Sequence, residues 1–152
     1  MASAPVNQPA RRSGALLDHL ARRMRLQGES VLAELELRPR HVVALTVLRD
    51  QDGSTQQALS STLMMDATNV VGLLNDLEAR GLIERRRSPQ DRRRHLVELT
   101  TAGLELLEKT ESALAAAENE VLAALDEAQR ETLYSLLHQA ANGETSCTVD
   151  DH

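Results

Sequence analysis

A mainly α-helical chain carrying one small β-hairpin is what this sequence predicts, and three observations predict it. The apolar content comes almost wholly from Leu, Val, Ala, Ile and Met: there is one Tyr, no Trp and no Phe. Such a set favours helices over an all-β core. Apolar residues recur at helical spacing through five of the chain's segments, whereas residues 82–99, LIERRRSPQDRRRHLVEL, alternate as strands do about a Ser-Pro-Gln-Asp turn.

After residues 1–14, read as a flexible arm, the pattern Leu16, Leu17, Leu20, Met24, Val31, Leu32, Leu35 gives an amphipathic helix from Ala15 to about 37, with a defect expected near Gly28. Pro39 is placed as the first residue of the next helix, whose apolar face is Val42, Val43, Leu45 and Leu48. Thr55 is the expected N-cap of a short helix from Gln56 to about Thr62. Asp66 is the expected N-cap of a further helix from Ala67 to Arg80, stopped by Gly81. Two short helices so joined make a helix-turn-helix, and the hairpin after them makes it winged. Thr100 caps a long helix from Thr101 to about Leu125. Asp126 and Gln129 form a capping box for a last helix to about Ala141, and residues 142–152 read as a flexible tail.

Charge is divided unevenly along the chain, whose net charge is -6. Residues 1–49 carry +4, 50–79 carry -5, 80–100 carry +4 and 101–152 carry -9. A dense arginine cluster in an acidic protein points to a polyanionic partner. The missing aromatics remove the stacking platforms of single-strand binders, so duplex DNA is the expected one.

On a helix from Ala67, Val70, Leu73, Leu74 and Leu77 fall on one side and form the core face. The opposite face carries Thr68, Gly72 and Asn75, flanked by Asn69, Val71 and Asp76. That bare, uncharged face suits the major groove, where Asn can pair bidentately with adenine and Thr or Val can touch a thymine methyl. Phosphate attraction then has to come from Arg85, Arg86 and Arg87 on one strand, from Arg92, Arg93 and Arg94 beyond the turn, and from the helix N-terminus at Thr55 and Gln56. Asp91, two residues before Arg93, is expected to hold that guanidinium in one rotamer aimed at the minor groove.

Residues Thr55 to Leu59 (TQQAL), the helix Asp66 to Leu77, LEARGLIERR from Leu77 to Arg86 and DRRRHLVELTTAG from Asp91 to Gly103 resemble the MarR family of bacterial winged-helix regulators. In element order the resemblance covers about residues 16–141, one domain of residues 15–141 with a winged lobe over about 38–100. It implies a homodimer built from helices at about 15–37 and 101–141, a palindromic operator, repression of nearby genes and a crevice for a small-molecule effector. It also places Thr68, Asn69 and Val71 at base edges and Arg93 in the minor groove with Asp91 in support. Family members often carry Arg where this chain has Gly72, and another where it has Asp76.

Catalysis has no foothold, since no nucleophile elbow or phosphate loop surrounds the Ser, His and Asp residues. No cofactor is expected. The five His (His19, His41, His95, His138, His152) lack zinc-motif spacing, so exposed or capping roles are expected of them and no metal site. The single cysteine, Cys147, lies in the polar tail, cannot form an internal disulfide and is read as inert. No apolar leader or membrane-length run is present, which points to the cytoplasm. A winged helix used as a protein-interaction module, without specific DNA binding, remains the alternative, favoured by the acid in residues 50–79.

Overall fold

In this computed structural model residues 11–143 are described, and their elements follow from local signals that the backbone honours. Helix α1 (Ser13–Glu34) leads through a turn to α2 (Pro39–Asp50), then strand β1 (Ser54–Thr55), α3 (Gln56–Leu63), α4 (Ala67–Ala79), β2 (Ile83–Arg87), β3 (His95–Leu99), α5 (Thr101–Val121) and α6 (Glu127–Ala141). The fold is mainly α with one antiparallel sheet in the order β1-β3-β2.

Caps set the boundaries. The side chains of Thr55, Asp66, Thr100 and Asp126 each accept from the backbone N–H three residues on, at Ala58, Asn69, Gly103 and Gln129. Each satisfies a donor that the first helical turn leaves orphaned. Gln129 closes the capping box by accepting from the Asp126 N–H at 2.9 Å. At the other end of α4, Gly81 adopts φ +71. Its N–H donates to the Glu78 carbonyl and the Leu82 N–H to that of Leu77, the paired bonds of a Schellman stop.

The core lies where α2, α3, α4 and α5 meet the sheet, around Leu45, Leu48, Leu59, Val70, Leu74, Leu77, Ile83, Val97 and Leu107. The core face expected of α4 is the one observed. On α2, by contrast, Ala44 is buried and Val43 is half exposed, and the buried His41 caps the helix by accepting the Arg38 N–H at Nδ1, 3.0 Å away.

Several expectations need correcting. Helix α1 runs through Gly28 without a defect. A Cβ at Gly28 would sit 3.6 Å from Leu114 Cδ2, so this glycine belongs to the α1–α5 contact. The α1 start at Ser13 takes two residues from the expected arm, while residues 1–10 and the tail from 144 on, with Cys147 and His152, lie outside the described residues. Helix α5 ends at Val121 rather than near Leu125. The hairpin has a third strand, because Ser54 and Thr55 pair with Val97 and Leu96 before α3 begins.

Candidate nucleic-acid interface

Helix α4 stands with its core face against α2, α3 and β2 and turns the other side outward. Thr68, Asn69, Val71, Gly72 and Asn75 are all exposed there, and a Cβ on Gly72 would meet nothing within 4 Å. No formal charge lies among them. The expected base-edge residues thus share one open face, flanked by Asp76.

The wing is built by register. Ile83 pairs with Leu99, Arg85 with Val97 and Arg87 with His95, which turns Ile83 and Val97 into the core and sends the hairpin outward. Its loop is closed by the Ser88 N–H donating to the Arg94 carbonyl at 2.8 Å. Arg92, Arg93 and Arg94 therefore sit in the loop itself and not on the returning strand.

Asp91 organises that loop differently from the expectation. Its Oδ1 accepts the Arg93 backbone N–H at 3.0 Å, and its Oδ2 lies 3.7 Å from Arg94 Nε. The carboxylate pins the Arg93 main chain and the Arg94 guanidinium; it does not hold the Arg93 guanidinium. A short side chain two residues upstream reaches the amide more easily than the far end of an arginine.

Three of the six hairpin arginines are engaged by acids. Arg85 forks onto Glu78, with Nε and Nη2 each 3.1 Å from a carboxylate oxygen. Arg86 pairs with Glu98 on the neighbouring strand, and Arg94 lies beside Asp91. Hydrogen bonding to Arg85 holds the Glu78 carboxyl below its usual range, and the same bond raises the Arg85 guanidinium. Arg85 was expected to meet phosphate. Instead its side chain is only 20% exposed, and Nη2 also donates to Asn75 Oδ1 at 2.5 Å. Among the described residues, Arg87, Arg92 and Arg93 make no ion pair.

The space between α3, α4 and the wing is a cleft of about 260 Å³, lined by Thr55, Gln56 and Ser60, by Ala67 and by Arg93 and Arg94. Four of the expected contact residues, Thr55, Gln56, Arg93 and Arg94, thus meet in one place. The first turn of α3 opens onto it, with its one capped N–H at Ala58. A second, more open recess joins Gln56 and Val71 to Glu78, Arg85 and His95. Glu78, His95 and Glu98 were not foreseen here. The available signal for Glu78 was an acid and an arginine seven residues apart about the Gly81 turn.

Among the described residues no group of three or more His, Cys, Asp or Glu could hold a metal ion, and no helix is long and apolar enough to cross a membrane.

Comparison with known proteins agrees with this architecture. The sequence profile of the MarR family matches residues 35–94. A candidate transcriptional regulatory protein for the hcr operon of Thauera aromatica is 37% identical over 93 residues, covering 61% of this chain and 56% of that protein. The chain thus spans little more than half the length of that relative. A mutant of S. aureus MepR superposes with TM-score 0.76 at 26% identity, over 87% of this chain and 98% of the other. A second MepR mutant, bound to an oligodeoxyribonucleotide, gives TM-score 0.68 at 27% identity, over 87% and 97%. A Pseudomonas aeruginosa structure described as a probable transcriptional regulator gives TM-score 0.62 at 31% identity, over 84% and 95%. The Thauera aromatica and Pseudomonas aeruginosa proteins are described as regulators of transcription, and wing, helix pair and matched sequence make this chain a member of the MarR family of winged-helix regulators.

Proposed function

We propose that this protein is a sequence-specific, double-stranded DNA-binding transcriptional repressor. In this reading it acts in the cytoplasm as a homodimer on a palindromic operator and is released by a small-molecule effector. One observation carries the DNA reading: the uncharged outer face of α4 stands beside a wing whose Arg87, Arg92 and Arg93 are without acidic partners among the described residues. Such a face can enter the major groove without electrostatic preference while the wing supplies attraction along the backbone. The MepR structure with a bound oligodeoxyribonucleotide shares the architecture that would do so.

The dimer reading rests on α6, which buries none of its residues and exposes Tyr134, Leu136 and Leu137, and on the exposed Leu16, Leu17 and Leu26 of α1. Two apolar helix faces left open in one chain are what a twofold partner would cover.

Titration of the duplex upstream of the protein's own reading frame, at rising salt, tests the proposal. A specific shift at low salt that weakens steeply with salt is expected. No specific shift, with a stable protein complex in pull-down, would favour an interaction module instead.

A further inference from the structure

We propose that α4 presents two side-chain amides of opposite, preset polarity: Asn69 offers its carbonyl outward because Asp66 holds its amino group, and Asn75 offers its amino group because Arg85 holds its carbonyl. The inference rests on the DNA-reading function above and adds which base groups each residue accepts.

Each partner can bond in only one sense, and this fixes the amides. A carboxylate is acceptor-only, so the group that Asn69 directs at Asp66 Oδ2, 3.0 Å away, is Nδ2. Asp66 is itself fixed, since its other oxygen accepts the Asn69 N–H at 2.8 Å as the N-cap of α4. A guanidinium is donor-only, so the group that Asn75 directs at Arg85 Nη2, 2.5 Å away, is Oδ1. Arg85 is fixed in turn by its two-pronged pairing with Glu78 one turn further along α4. Both amides would otherwise flip freely at an exposed surface.

The consequence is chemical. In the major groove guanine offers acceptors at O6 and N7 and thymine an acceptor at O4, whereas cytosine N4 and adenine N6 are donors. Asn75, whose outward group is the amino end with both its donors free, matches guanine or thymine; Asn69, whose outward group is the carbonyl with both its lone pairs free, matches cytosine or adenine. This replaces the bidentate adenine contact that its residue type alone suggests for Asn75. Arg85 acts here as a positioning residue that never touches DNA.

Enrichment from a random-sequence duplex pool, read base by base, tests this. Wild-type protein is expected to select a motif with guanine or thymine at one column in each half-site. Asn75→Asp keeps an oxygen on Arg85 and turns another outward, so that column alone should shift to cytosine or adenine by about fivefold or more, the lower end of what a well-made base contact is worth. Arg85→Met frees the Asn75 carbonyl and should admit adenine there, while Arg85→Lys, still donor-only, should keep the wild-type base. Should Arg85→Met fail to fold, as circular dichroism would show, Asn75→Asp and Arg85→Lys decide the matter. A wild-type motif that none of these variants alters at any column overturns the polarity assignment and leaves DNA reading intact. A wild-type protein that enriches nothing overturns both.

Discussion

Gly103 on α5 lies so close to Leu82 that a Cβ placed on it would stand 2.1 Å from the Leu82 carbonyl oxygen and 2.9 Å from Leu99 Cδ1. That oxygen is already bonded, accepting the Thr100 N–H at 3.0 Å, and the Thr100 hydroxyl in turn donates to the Gly81 carbonyl at 2.7 Å. The start of α5 is thus stitched to the turn that ends α4, and only a residue without a side chain permits it. Gly103→Ala forces backbone apart. A loss of about 1–3 kcal/mol, the usual cost of overpacking a core, is expected in urea unfolding. Gly72→Ala is the contrast, because nothing lies within 4 Å of its Cβ position on an exposed helix interior. It should gain about 0.5–1 kcal/mol from reduced unfolded-state freedom and better helix propensity. Equal losses in both variants would contradict the packing argument.

His41 carries a pH dependence. Burial among α2 and α4 pushes its imidazole below the ordinary value of 6.5; Asp76, with Oδ2 3.9 Å from Nε2, opposes that shift, while Arg80 and Arg38 add to it. With the folded value depressed, the unfolded chain takes up the proton first. Stability is therefore fully present above about pH 6.5 and is lost as pH falls below it. Protonation would also remove the Nδ1 lone pair that accepts the Arg38 N–H. The urea midpoint of the wild type should fall between pH 7 and 5.5, and more steeply than that of His41→Gln; parallel slopes would show that His41 does not carry the effect.

What the sequence made legible was whatever a few neighbouring residues decide. Thr55, Asp66, Thr100 and Asp126 cap as expected because a cap needs only a short polar side chain and an amide three residues on. Gly81 stops α4 for the same local reason. Strand β1 was illegible because two residues carry no period and pair only once β3 has folded beside them. Gly28 was misread because a mid-helix glycine looks like a weakness until the packing of Leu114 against it is known. The arginine cluster was visible as charge. Its division into Arg85, Arg86 and Arg94, engaged by acids, and Arg87, Arg92 and Arg93, which make no ion pair among the described residues, depends on which acids the sheet register and the α4 turn bring alongside.

Helix α6 and the first turns of α1 give a prediction about assembly. Leu16 is 67% exposed, Tyr134 65% and Leu136 59%, more open apolar side chain than a free monomer usually shows on its first and last described helices. Wild-type protein should sediment as a dimer at micromolar concentration. Leu136→Glu should yield monomers with helical content kept, since the winged-lobe core contains no α6 residue. A monomeric wild type would remove the twofold reading, and a variant as dimeric as the wild type would move the interface elsewhere.

The wing supplies the sharpest test, because Asp91 and Arg93 make opposite demands on simple electrostatics. Arg93→Ala removes a cation from the tip and should weaken specific duplex binding several-fold with the fold intact. Asp91→Ala removes an anion from the same tip, so charge alone predicts tighter binding. Yet Asp91 fixes the Arg93 amide at 3.0 Å and lies beside the Arg94 guanidinium. Without it the loop must be ordered at the moment of binding, and that ordering costs about 1–2 kcal/mol per residue fixed. Weaker binding by Asp91→Ala is therefore expected despite the gain in positive charge, with a salt dependence no shallower than that of the wild type. Tighter binding would show that the loop needs no ordering, and an unchanged Arg93→Ala would take the wing tip out of the interface.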